Sequence, residues 1–85
     1  MVMFVVYVLR STSNQQLYVG FTEDFKERLK THNDGRVIST KAHRPWKPIF
    51  LECYIEKGDA LRRELYLKTT AGKRALKLML RETLE

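Results

Sequence analysis

Positions 3–10, Met3-Phe4-Val5-Val6-Tyr7-Val8-Leu9-Arg10, are apolar at nearly every step instead of alternating. A run of β-branched and aromatic residues without alternation predicts a strand covered on both faces, at the centre of a sheet. Ser11-Thr12-Ser13-Asn14-Gln15 is a polar turn, and residues 16–20 return as a second strand ended by Gly20. The two form an antiparallel hairpin. With Tyr7 placed opposite Tyr18, both rings project from one face. Thr22 is positioned to cap a helix in which Phe25, Leu29 and His32 recur at helical spacing, with Arg28 beside them and Asn33-Asp34-Gly35 as its stop. An irregular stretch of about 12 residues runs on to Pro48, long enough in a small domain to suggest function.

Ile49 to Ile55 reads as a third strand. Lys57-Gly58 turns, and Asp59 caps a helix from Ala60 to about Thr69 whose apolar stripe is Leu61 and Leu65. Gly72 breaks it, and a last helix from about Lys73 to Leu84 carries Leu76, Met79, Leu80 and Leu84 on one face. The order is ββαβαα, an α+β chain with a small three-stranded antiparallel sheet and helices packed on it. Phe4, Leu9, Phe50, Leu61, Leu65, Leu76 and Leu80 are the expected core.

Composition narrows the class. The 85 residues, 44% hydrophobic, suffice for one small domain spanning 1–85. No apolar run approaches the roughly 20 residues that cross a bilayer, and the start has neither a basic segment nor a cleavage site, which predicts no signal peptide. The lone cysteine, Cys53, cannot form an internal disulfide. It is expected as a buried thiol in a reducing cytoplasm. Sixteen Lys and Arg against ten Asp and Glu give a net charge of +6, which suits a polyanion. Arg36, Lys41, Arg44 and Lys47 lie in a stretch with His43 and Trp46 and no acid, and Lys68, Lys73, Arg74, Lys77 and Arg81 follow in the C-terminal third. Trp46 is expected to pin the basic loop to the sheet.

Taken singly, these residues also admit plain readings. Tyr7 and Tyr18 suit cross-strand packing, Arg28 and His32 a solvated helix face, and Glu64 an ion pair with Lys68 four residues on.

Taken together and in order, they carry a resemblance. Val5-Val6-Tyr7, Tyr18-Val19-Gly20, the helix Phe25 to Asn33, the loop pieces Ser39-Thr40-Lys41 and Arg44-Pro45-Trp46, and the helix Ala60 to Lys68 resemble the GIY-YIG nuclease family. They look most like its short, single-domain bacterial members, relatives of the excision-repair nuclease domain. Val5 stands where the family has glycine, Phe21 where the repair nucleases have lysine, and no asparagine follows Asn33. The resemblance implies a metal-dependent endonuclease acting on DNA. In it Tyr18 is the general base, and a phenol, protonated at neutral pH, needs a neighbouring cation for that task. Tyr7 hydrogen-bonds within the site or orients the water, and Arg28 holds a phosphate oxygen. His32 contacts the phosphate or relays a proton, and Glu64 holds one Mg²⁺ or Mn²⁺ that stabilises the leaving 3′ oxygen. Lys41 and Arg44, with Arg36 and Lys47, would grip the backbone outside the scissile phosphate. The alternative is a non-catalytic nucleic-acid-binding module on the same fold. No membrane partner is expected, and an exposed sheet edge permits a monomer or a weak homodimer.

Overall fold

The computed structural model describes residues 2–85. Strand β1 (Phe4–Ser11) pairs with β2 (Leu17–Thr22) on one side and β3 (Trp46–Tyr54) on the other, both antiparallel, in the order β2-β1-β3. Between β2 and β3 lie helix α1 (Phe25–Asn33) and the single turn α2 (Ile38–Lys41), and after β3 come α3 (Lys57–Leu67) and α4 (Thr70–Met79). The α+β architecture is the one the residue pattern predicts, with α2 added inside the stretch expected to be irregular.

β1 is central, and its two faces feed two clusters. Val6 and Val8 join Val19, Ala60, Leu67 and Leu76 under α3 and α4. Val5, Tyr7 and Leu9 join Trp46, with Tyr18, Phe25 and Leu29 against them, under α1. This is why the strand shows no alternation: each face meets its own apolar layer.

The hairpin register differs from the expected one by two residues. Tyr7 pairs with Gly20, and Tyr18 with Leu9. A shift of two preserves the face, so the rings still share a side, with centroids 6.3 Å apart. Gly20 does not end the strand, which runs on to Thr22. It lies beneath the Tyr7 ring, where an added Cβ would overlap the phenol.

Four local expectations are corrected. Asp24 caps α1, its side chain accepting from Glu27 N, while Thr22 accepts from Asp24 N just upstream. Asp59 lies inside the first turn of α3, paired with Arg62. Gly72 lies inside α4, buried against the Tyr66 carbonyl where no Cβ fits, and Thr69 caps that helix by accepting from Gly72 N. Cys53 is exposed. It pairs with Val5 on the α1 side of the sheet, in the edge strand β3, where Leu51 is exposed too, as is Ile55 just past the strand.

The stripe of α3 is also rotated from the expected one. Leu61 and Leu65 are 37% and 65% exposed, whereas Ala60 and Leu67 are fully buried. The inward face is therefore Ala60, Arg63, Glu64 and Leu67, an i, i+3, i+4, i+7 stripe with two charged residues in its middle. Arg63 is accommodated there by a fork onto Glu52 on β3, at 2.9 and 3.2 Å, and Tyr54 donates to the same carboxylate at 2.7 Å.

Candidate active site

Strand alternation and one turn of α1 bring four of the expected residues together. Tyr7 projects from β1 toward α1, and there its hydroxyl lies 2.9 Å from His32 Nε2. Arg28, one turn before His32, donates from Nε to the Tyr7 oxygen at 3.3 Å. Tyr18, beside Leu9 on the same face, packs its ring 4.9 Å from the imidazole and close enough to Arg28 to support its charge.

Donor inventory sets the direction of the chain. Arg28 can only donate, so the Tyr7 hydrogen goes to His32 Nε2. His32 then carries its proton on Nδ1 and donates to Thr40 Oγ1 at 2.8 Å, and Thr40 donates on to the Val37 carbonyl. One relay thus runs from the Arg28 guanidinium through β1 and α1 to α2. Tyr7, His32 and Thr40 are all fully buried.

Burial decides the protonation states. It is the main cause that pushes the Tyr7 phenol up to about 12. The Arg28 hydrogen bond opposes it, and Tyr18 and Glu64 add to the rise. Burial, helped by the Arg28 charge, pushes His32 down to about 4. Near neutral pH both groups are uncharged. The hydrogen bond to Tyr7 in turn raises Arg28 and secures its charge.

His32 has both ring nitrogens bonded inside the protein and no exposed surface. It is therefore walled off from a phosphate, and the direct contact expected of it has no route. Tyr18 and Arg28 keep partial exposure. Glu64 reaches the cluster from the inward stripe of α3, near enough for its charge to act on the Tyr7 phenol. Its side chain is 17% exposed and its Oε2 accepts from Lys68 at 3.0 Å. Among the described residues no three His, Cys, Asp or Glu side chains gather as a metal cluster. A single shielded carboxylate suits a hard cation that keeps its waters and takes substrate oxygens as further ligands. Glu64 is the residue here that could hold such a divalent cation.

The basic loop resolves into distinct groups. Lys41 and Arg44 border an open depression of about 600 Å³ with Asn33, Ile38, Ala42 and Pro45. Arg36 is 3.9 Å from Asp34, which also binds Lys30. Lys47 pairs with Arg10 across the ladder, so it faces α3 and α4, away from Lys41 and Arg44. Trp46 is buried and pins the loop, its indole donating to Thr40 O at 2.9 Å.

Three positions that sequence reasoning gave no role build this arrangement. Asn33, read as part of a helix stop, bonds both backbone groups of Trp46, at 2.7 and 3.1 Å. Thr40 ends the relay, and Gly20 leaves room for Tyr7. Only Gly20 carried a signal, as a glycine inside a strand.

Known proteins share this fold. A UPF0213 protein of Bacillus licheniformis is 41% identical over 68 residues, covering 79% of this chain and 69% of that protein. A UPF0213 protein of Staphylococcus haemolyticus is 35% identical over 75 residues, covering 87% and 90%. The solution NMR structure of a UPF0213 protein from Bacillus halodurans superposes with a TM-score of 0.57 at 25% identity, over 91% of this chain and 84% of that one. Residues 3–77, from the start of β1 almost to the end of α4, match the GIY-YIG catalytic domain, and the chain belongs to the GIY-YIG family.

Proposed function

We propose that this chain is a divalent-metal-dependent endonuclease that hydrolyses phosphodiester bonds in DNA, with residues 1–85 acting as one nuclease domain. The observation that carries the reading is the gathering of two partly exposed groups, Tyr18 and Arg28, around a buried neutral Tyr7–His32 pair, with the Glu64 carboxylate turned inward toward them.

Tyr18 is open to a water; with its own proton lost to solvent and its phenolate supported by the Arg28 charge, it would take the water's proton as the oxygen attacks phosphorus. Arg28 holds a non-bridging phosphate oxygen and offsets charge as the phosphorus–3′-oxygen bond breaks. Tyr7 and His32 act behind Arg28. The Tyr7 oxygen accepts from Nε, which leaves the terminal guanidinium nitrogens for substrate. Glu64 would hold a Mg²⁺ or Mn²⁺ ion, whose charge stabilises the leaving oxygen. Lys41 and Arg44, with Arg36 more weakly because Asp34 lies beside it, contact the flanking backbone. The exposed thiol of Cys53 and the single cysteine support a reducing, cytoplasmic setting. No helix among the described residues is long and apolar enough to cross a membrane.

The test is plasmid nicking with Mg²⁺ or Mn²⁺. Cutting by the wild type that vanishes in Glu64→Ala and Arg28→Ala, with the fold kept, supports the enzyme. Normal cutting by Arg28→Ala overturns the site. The Lys68–Glu64 ion pair favours one second reading, a binding module whose carboxylate serves the helix. Salt-sensitive gel shifts with no cutting in either metal would establish that reading instead.

A further inference from the structure

Two groups of cations that form no ion pair lie on opposite sides of the sheet. Among the described residues, the ion pairs use Lys30, Arg36, Arg62, Arg63 and Lys68. Arg28, Lys41 and Arg44 remain free on the side of the candidate active site. Arg10, Lys73, Arg74, Lys77 and Arg81 remain free on the other. Leu17, Val19 and Leu76 mark that second side, since they line its grooves and belong to the layer under α3 and α4.

This second surface is a groove. Three depressions share Lys77: two lie between α4 and the β1–β2 hairpin, one continuing to Arg10 and Arg81 and one to Lys73 and Leu76, and the third lies on α4 itself with Lys73 and Arg74. Lys73 and Lys77 stand at i, i+4 within α4, a pairing of like charges that weakens a helix unless an anion offsets it, and Arg81 follows four residues on, past the helix end. At the far end Arg10 Nε is buried without a hydrogen-bond partner, and the guanidinium makes one long hydrogen bond, 3.4 Å from Nη1 to Thr83 O.

We propose that this groove is a second phosphate-backbone surface, binding nucleic acid independently of the active site and without regard to base sequence. The choice of polyanion rests on the nuclease reading above. The groove offers cations and aliphatic stems but no aromatic ring on which a base could stack, so it contacts backbone and not bases. The molecule measures 33 × 28 × 20 Å, and a duplex of about 12 base pairs, far below the persistence length of about 150, cannot bend round to both faces. The chain therefore holds two duplex segments at once.

The experiment titrates labelled 12-base-pair duplex against the whole chain in EDTA, by anisotropy, across 50–200 mM NaCl. The wild type is expected to saturate at two duplexes per chain at low salt, and Lys73→Gln/Lys77→Gln at one. The slope of log affinity against log salt for the lost site disappears with it, about 0.9 per phosphate contact. Glutamine keeps helix propensity, circular dichroism checks the fold, and Arg81→Gln, beyond the end of α4, serves as a second variant with a smaller loss. With Mg²⁺, single-turnover cleavage at saturating DNA stays at the wild-type rate in both variants. One duplex per wild-type chain, or an unchanged stoichiometry in the variants, overturns the proposal. So does binding to phosphatidylserine vesicles that the double variant loses while keeping both duplexes, since the groove would then face lipid. Absence of cleavage by any form fails the nuclease reading alone and leaves the duplex count to decide this one.

Discussion

At the scale of single residues, the two tyrosines have opposite assignments. Tyr7 is fully buried with both lone-pair and hydrogen partners inside the protein. Tyr7→Phe strands the His32 acceptor, and an unmet buried group costs about 1–3 kcal/mol. The expected result is a lower urea midpoint, with reduced cleavage because Arg28 loses its support. Tyr18 is partly exposed and makes ring contacts that phenylalanine retains. Tyr18→Phe should stay within about 0.5 kcal/mol of wild type yet lose roughly 10²–10⁴ in cleavage rate, the span of a general base. Equal stability losses in the two variants would refute the division. Lys68 sharpens the metal question. Its ammonium occupies Glu64 Oε2, so it competes with a cation for that carboxylate. Lys68→Gln is expected to lower the Mg²⁺ concentration giving half-maximal cleavage, and a rise would mean that the lysine orients the carboxylate for the ion.

At the scale of elements, the sequence made the strands legible because both layers against β1 are apolar, and the face of the hairpin survived an error of register because side chains repeat every two residues. Tyr7, Tyr18, Arg28 and His32 could be placed together for that reason and by one helical turn. The orientation of α3 was not legible. Hydrophobicity points to Leu61 and Leu65, but the inward stripe includes Glu64, which keeps the local bond from Lys68, and Arg63, held by Glu52, a long-range partner that no local pattern contains. The same holds for Thr40 and Asn33, which matter only through contacts with His32 and Trp46. The orientation of α3 is testable without any assay of function. Leu67→Ala should cost about 2–5 kcal/mol as a buried truncation, while Leu65→Gln, at 65% exposure, should stay within about 0.5 kcal/mol. Gly20→Ala tests the hairpin, since its Cβ would displace the Tyr7 ring and break the relay at its second member.

At the scale of the whole molecule, the relay makes stability depend on pH, and the sign follows from which form the fold prefers. Burial holds His32 at about 4 against an ordinary 6.5, so the folded state favours the neutral ring and the unfolded chain takes up a proton first. Its contribution is complete above pH 6.5 and is lost as pH falls through 4. A difference of this size corresponds to roughly 3 kcal/mol at 1.36 kcal/mol per unit. Asp34, lowered mainly by its bond to Lys30, acts with the same sign, its contribution complete above its ordinary 3.8 and lost only below it, so the two windows separate. Tyr7 acts at the other end. Its folded value of about 12 against 10 favours the neutral phenol, and that stability is lost as pH rises from 10 toward 12. Urea unfolding of the wild type should therefore show a midpoint that declines as pH falls from 6.5 toward 4. In His32→Gln, less stable at neutral pH, that decline should flatten while the fall below 3.8 persists. A wild-type midpoint constant from pH 6.5 to 4 would mean that the imidazole is not held neutral in the fold, and the Tyr7–His32 bond would then reverse, with Nε2 donating to the Tyr7 oxygen.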